Sequence, residues 1–207
     1  MDFLTPSIIF VLGAIIGSFL NVVIYRYNSG ASPLTGRSQC FSCGKTLVWY
    51  ELVPLLSFLL QRGRCRKCHV RLSWQYPLVE VLTGIIFVAL FALGKPLAES
   101  IWLATIFSTL IVIGAYDIRH QIIPDSLVAF FAIDSLAWFL WLHHANLGEI
   151  FQIPYLWTLL AGPVLFAPFW ALWFVSKGKW IGLGDGKLAI GIGWFLGLSL
   201  GGSAIML

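Results

Sequence analysis

The chain has 207 residues, of which 59% are hydrophobic and only 11% charged, with a formal net charge of +4. Soluble domains are closer to half apolar and a quarter charged, so a water-soluble globular fold is excluded. The basic surplus is small and flanks apolar runs without forming a groove, which argues against nucleic-acid binding.

Six apolar runs, at residues 7–25, 76–94, 99–116, 126–142, 156–175 and 187–206, are long enough to cross a hydrocarbon core about 30 Å thick. The first lacks a basic leader and a small-x-small cleavage site, so it reads as a span and not as a signal peptide. The predicted fold class is an all-α polytopic membrane protein of about six transmembrane helices, with a small zinc-ribbon-like module between the first two. The expected division is a first transmembrane helix at 1–25, a four-cysteine cytoplasmic module at 26–75 and a transmembrane core at 76–207. No repeat of fixed period stands out.

Lys and Arg near span ends favour the cytoplasmic side. Of the 13 basic residues, 12 fall in the loops after the first, third and fifth spans, and only Lys95 lies opposite. The N-terminus is therefore expected outside and the basic loops in the cytoplasm.

The polar segment carries all four cysteines as two C-x2-C pairs, Cys40 and Cys43, then Cys65 and Cys68, with 21 residues between the pairs. Each two-residue gap lets both thiolates reach one ion, and two such turns complete a closed tetrahedral shell of the structural zinc type. Two disulfides or a redox C-x-x-C are the alternatives, and a reducing cytoplasm disfavours stable disulfides. His69, beside Cys68, is surplus to four thiolates and is expected in solvent. Between the pairs, "LVWYELVPLLSFLL" is too short to span and too apolar for a free loop, so it is expected to lie at the interface or pack on the helices.

Farther along, the third span ends at "YDIRHQIIPD" and the sixth begins at "GLGDGKL", which puts Asp117 and Asp185, 68 positions apart, at one depth on one side. Two carboxylates that meet there share a proton: one activates water and the other polarises a peptide carbonyl. Gly182, Gly184 and Gly186 around Asp185, followed by Lys187, leave room for a peptide backbone. Asp185 taken alone also reads as a plain N-cap. Asp117 at a helix C-terminus opposes the macrodipole, with Arg119 as a possible compensating charge. Asp125 reads as the N-cap of the fourth span. Asp134, in mid-span, is a functional candidate by depth or a neutral helix–helix hydrogen-bonding group. Glu80 is placed to reach the loops or a module arginine. Gly13 and Gly17 in the first span, and Gly193, Gly197 and Gly201 in the sixth, have the small-xxx-small spacing of close helix packing.

In order and spacing, "GSFLNVVIYR" at 17–26, the paired cysteine knuckles, "LVPLLSFLLQRGRCRKC" at 52–68, "YPLVE" at 76–80, "DIRHQIIPD" at 117–125 and "GLGDGKL" at 182–188 resemble the bacterial prepilin leader peptidases. That family serves type IV pilus, type II secretion and competence systems and has a GxGD aspartic-protease signature. The resemblance implies catalytic aspartates at Asp117 and Asp185 and cleavage of prepilins and pseudopilins after a glycine at the cytoplasmic face of the inner membrane. It also implies, for members with the knuckles, S-adenosylmethionine-dependent N-methylation of the new N-terminus. No Rossmann-type glycine loop supports a methyl-donor site from the residues themselves. Family members continue for roughly two more spans, so the resemblance implies a C-terminally truncated chain. The sequence departs from the family pattern at Tyr27 and Asn28 after Arg26, and at Phe41 after Cys40, where prolines are usual. The competing class is a non-catalytic membrane scaffold or an ion-coupled transporter with a structural zinc module. A transporter predicts acids at the midplane and related halves, whereas here the acids cluster at one cytoplasmic edge, Asp134 apart, and no repeat is evident.

Overall fold

The computed structural model describes residues 3–143, 153 and 155–206, and among them the fold is all-helical, with two isolated antiparallel bridges in place of strands. The helices are α1 (Leu4–Arg26), α2 (Leu56–Leu60), α3 (Gln75–Ala92), α4 (Leu97–His120), α5 (Asp125–Leu142), α6 (Tyr155–Ser176) and α7 (Leu183–Met206), with a 3-10 turn at Trp49–Glu51. All but α2 are long and apolar enough to cross a membrane, which makes six candidate spans among the described residues.

Two helices outrun their apolar stretches by four residues at one end. α4 continues to His120, beyond the expected end at 116, and α7 begins at Leu183, ahead of the expected 187. Hydropathy marks where a helix is apolar, whereas backbone hydrogen bonds decide where it ends. The helical bonds of α4 run on until Gln121, whose φ of +53° is left-handed and whose N–H closes on the Asp117 carbonyl at 2.6 Å.

The chain forms two compact units, Met1–Ala115 and Tyr116–Leu207, and α4 passes from the first into the second. In the first unit, α1 and α3 pack through glycine. A Cβ on Gly13 would lie 2.8 Å from the Gly84 Cα, and one on Gly17 would lie 2.8 Å from the Glu80 Cα. The backbones therefore touch, as the Gly13/Gly17 spacing predicts. The buried Asn21 amide adds a hydrogen bond from Nδ2 to the Tyr76 carbonyl, 3.1 Å across the same seam.

The second unit packs α7 against α6 and α5. A Cβ on Gly193 would stand 2.7 Å from the Ala161 carbonyl carbon and oxygen and from the Gly162 nitrogen. Gly191 faces the buried Phe131 ring of α5, and Gly201 faces Leu165. Gly197 does not join this packing face. Its φ of +76° and ψ of 179° break the helix, and a Cβ there would have only Thr158 Cγ2 near it, at 4.0 Å. The glycine spacing in α7 thus combines two packing positions with a kink that glycine alone takes without strain.

α6 contains Pro163 and Pro168. Proline has no N–H, so Pro163 leaves the Leu159 carbonyl without its helical partner, and no water replaces it inside a bilayer. The Trp194 indole N–H of α7 supplies the bond at 2.9 Å. That bond forms only because Gly162 and Gly193 let the two helices approach. Gly193→Val should therefore destabilise the protein by about 1–3 kcal/mol, the usual range for overpacking. Unfolding in detergent micelles checks this, and an unshifted midpoint would mean the backbones are not in contact.

Candidate functional site

Two sets of side chains carry chemistry, one in each unit. In the first unit the four cysteine sulfurs lie within 4.8 Å of one another, with Cys40 to Cys68 at 3.8 Å and Cys43 to Cys65 at 4.0 Å. All four are free thiols, so the disulfide alternative is not realised. A tetrahedron of thiolates about 2.3 Å from a central ion has edges of about 3.8 Å, so the cluster fits a four-sulfur metal site.

The two knuckles fold alike. The Cys40 N–H donates to the Lys45 carbonyl at 2.9 Å and the Gly44 N–H to Cys40 at 2.9 Å. In the second knuckle Cys65 donates to Val70 at 3.0 Å and His69 to Cys65 at 2.9 Å. Gly44 and His69 both take a left-handed φ, +66° and +56°, and bridges pair Gln39 with Thr46 and Arg64 with Arg71. One turn is therefore used twice, a repeat hidden in the sequence because His69 stands where the first copy has glycine. His69 is exposed and serves the turn.

Backbone N–H groups of Cys68 and Lys67 aim at Cys65 and hold its thiol pKa down at about 6, so a thiolate is present at neutral pH. At Cys43 the Lys45 N–H pulls the other way, but desolvation and the three neighbouring sulfurs outweigh it and push the thiol up to about 11.

The module is fastened to its surroundings by contacts that sequence reading missed or only outlined. Glu51, buried, accepts from Lys45 Nζ at 2.7 Å and from the Val48 N–H at 3.1 Å, linking the first knuckle to the apolar strap. Burial works against ionisation of Glu51, yet the Lys45 hydrogen bond, the Val48 N–H and nearby positive charge hold its carboxyl below the ordinary range. The same bond raises Lys45. Arg66 stacks over the Tyr50 ring at 4.9 Å. Glu80 reaches the strap and not an arginine: its Oε2 accepts from the Leu55 N–H at 2.8 Å. Leu55 has φ +61° and ψ −51°, and the Leu56 N–H closes on Pro54 at 2.6 Å, a strained γ-turn. Phe41, where the family pattern has proline, stacks on Tyr25 at 5.3 Å, and Tyr25 stacks on Tyr76 at 4.9 Å. Arg26 donates to the carbonyls of Ser32, Thr35 and Arg37 at 2.7, 2.6 and 3.1 Å, shaping the loop after α1 without a proline.

The second unit holds the candidate aspartates. Asp117 is half-buried in the last turn of α4, next to the buried Tyr116, which stacks on His120 at 4.3 Å. Asp185 is exposed in the first turn of α7. Because α7 starts at Leu183, Asp185 lies inside the helix, and the plain N-cap reading does not describe it. Among the described residues neither carboxylate has a hydrogen-bond or ion-pair partner.

The linker at 121–124 and the first residue of α5 touch the GxGD segment. A Cβ on Gly184 would be 2.9 Å from Ile123 Cβ, and one on Gly186 would be 2.9 Å from Phe169 Cβ of α6. Gly182 has open surroundings, with only the Gly184 nitrogen near, at 3.9 Å. Lys187 Nζ donates to Asp125 Oδ1 at 2.7 Å. Asp125 is thus not the N-cap of α5. Pro124 holds that position, without a side-chain cap bond, and Asp125 sits in the first turn. The Asp125 role had one sequence signal, a lysine two residues after the GxGD aspartate in need of a counter-charge. Asp134 lies half-buried on α5.

Residues 11–93 match the bacterial peptidase A24 N-terminal domain, and residues 104–207 match the type IV leader peptidase family. A prepilin leader peptidase/N-methyltransferase of Klebsiella pneumoniae is 32% identical over 213 residues, covering 94% of this chain and 86% of the relative. Relatives of the same name from Myxococcus xanthus and Bacillus subtilis are 44% and 36% identical, covering 58% and 60% of this chain but only 36% and 50% of their own lengths. No solved structure is significantly similar to the chain.

The four-cysteine geometry generates a prediction about metal. Elemental analysis of the native protein should find about one ion per chain, lost on acidification as the thiolates take up protons. Glu51, with its depressed pKa, adds stability that is present above the ordinary carboxylate pKa and is lost as pH falls through the depressed value, so it acts in the same direction. Glu51→Gln should release the metal to a chelator faster than the parent at neutral pH. A metal-free native preparation would contradict the site.

Proposed function

The chain belongs to the type IV leader peptidase family, and from that membership we propose that it is a membrane aspartic endopeptidase that removes the basic leader from type IV prepilins and pseudopilins after a glycine. Family membership sets aside the scaffold and transporter readings. The observation that carries the proposal within the chain is the pairing of Asp117 and Asp185 with one segment: both lie in a terminal turn of a helix, neither carboxylate has a partner among the described residues, and residues 121–125 bond to the turn of one and pack on the turn of the other.

The chemistry follows from two carboxylates that share one proton. The ionised aspartate takes a proton from water, whose oxygen attacks the scissile carbonyl carbon. The protonated aspartate hydrogen-bonds the carbonyl oxygen as it becomes tetrahedral, and a proton then passes to the leaving amine as the C–N bond breaks. Gly184 and Gly186 do not leave the room expected of them, because Ile123 and Phe169 pack on them; Gly182 is the glycine with open surroundings, where an extended substrate backbone approaches. Lys187 and the glycines support this turn, and the aspartates supply the acid and the base.

The basic loops favour a cytoplasmic active site and metal module and an outer N-terminus, in the bacterial inner membrane, with lipid and prepilin as partners and no nucleic acid. Zinc is the ion that four thiolates at Cys40, Cys43, Cys65 and Cys68 suit best, in a closed structural site. The curated relatives are also named N-methyltransferases, and we extend that activity to this chain. S-adenosylmethionine would supply the methyl group to the new N-terminal amine. The module at 26–75 and the core at 76–207 divide these roles in this reading.

Asp117→Asn and Asp185→Asn should each reduce cleavage of a peptide with a basic leader, glycine and apolar helix by at least about a thousandfold, since one member of an acid–base unit removes most of its effect. Both variants should insert in the membrane and keep their metal. Normal processing by either would rule out the dyad.

A further inference from the structure

The linker that leaves α4 and the first residue of α5 hold α7 at two points, one on each side of Asp185. Residue 184 is met by Ile123, whose Cβ would be 2.9 Å from a Cβ there, and residue 187 is met by Asp125, 2.7 Å from Lys187 Nζ. Residues 184 and 187 are three apart and lie on one face of the helix. The linker is anchored to the turn of Asp117 by the Gln121 N–H to the Asp117 carbonyl, 2.6 Å. It is also stiff. Pro124 fixes its own φ, here −76°, and restricts Ile123 before it, while Gln121 is locked in the left-handed region at +53°.

The Asp125–Lys187 pair is a weak contributor to folding. Its side chains are 73% and 42% exposed, and exposed ion pairs stabilise little. Packing on α6 and α5 sets where α7 lies, with Gly186 on Phe169 and Gly191 on Phe131, and Ile123 on Gly184 limits how closely the linker and α7 approach. Apolar contacts are non-directional, whereas the charged hydrogen bond at residue 187 fixes the rotation of the first turn about its axis.

We infer that Asp125 is a positioning residue of the peptidase site. By holding Lys187, it sets the register of the first turn of α7 against the linker from Asp117, and so the placement of Asp185 relative to Asp117. This rests on the reading of Asp117 and Asp185 as the dyad. Acid–base chemistry between two carboxylates and a water tolerates little misplacement, and a shift near 1 Å costs up to about a hundredfold in rate. The expected signature is a loss of kcat with little change in KM or stability.

The test uses the full chain in liposomes with the leader peptide as substrate. Asp125→Asn and Lys187→Met should each lower kcat by about tenfold or more, leaving KM and the unfolding midpoint near those of the parent. Asp125→Glu should retain most of the rate. The exchange Asp125→Lys with Lys187→Asp should recover part of what either charge reversal alone loses. A second readout needs no turnover: cysteines placed at 117 and 185 should be joined by a short bifunctional thiol reagent, and Asp125→Asn should reduce that yield. An Asp125→Asn rate within twofold of the parent would overturn the inference, as would a rate loss that only tracks a lowered midpoint. Asp185→Asn in the same series separates the two readings. If it is inactive while Asp125→Asn is fully active, the dyad stands and the positioning role fails. If Asp185→Asn cleaves normally, the dyad fails and the positioning role fails with it.

Discussion

Where α7 crosses α6, the Gly193 backbone lies directly on the Ala161–Gly162 peptide. Lipid offers helices no hydrophobic reason to associate, so close contact between small residues has to supply the attraction through dispersion and interhelical hydrogen bonding. This contact does both. It brings backbones together over a stretch where any side chain would hold them apart. It also brings Trp194 within 2.9 Å of the carbonyl that Pro163 strips of its helical partner. The proline costs α6 a bond that α7 replaces, so that α6 carbonyl depends on α7 for its partner in a bilayer. The first turn of α7 inherits its location from this seam, with Gly186 on Phe169 of α6 and Gly184 on Ile123.

The first unit solves a different problem. Its cysteine module has little apolar interior, and its sulfurs come together by turn geometry repeated in two knuckles. Four sulfurs held this close suit a cation, and in the proposed reading metal binding would supply much of the folding free energy of the module. The rest of the fastening is polar and aromatic. Glu51 ties knuckle to strap, Glu80 ties strap to α3 through a strained Leu55, and Phe41 and Tyr76 flank Tyr25 in a stack. Buried carboxylates are costly, and these two are retained with donors in place, Lys45 Nζ and backbone N–H groups.

The fold was legible in the sequence wherever one strong physical preference acts alone. Six apolar stretches announce six helices because bilayer thickness leaves a chain few options. The two C-x2-C pairs announce a metal cluster because ligand spacing follows from the size of one ion. Helix ends were less legible, since apolar content stops before the hydrogen bonds do, and the difference moved Asp117 and Asp185 into the terminal turns of α4 and α7. Spacing alone misled for Gly197, which has the same i, i+4 position as its packing neighbours yet serves as a kink. Asp125 was misread for a similar reason: an acid before a span is usually a cap, and only a partner 62 residues away makes it an ion pair.

The sequence by itself determined the membrane character, the number of candidate spans, the clustering of the four cysteines and the two candidate aspartates, because each depends on residue type and local spacing. Tertiary structure alone decided which glycines bear backbones and which bends a helix, which indole completes a proline-broken helix, and which acid holds Lys187. Those outcomes depend on what lies opposite a residue in space, and a chain read in one dimension does not specify its neighbours.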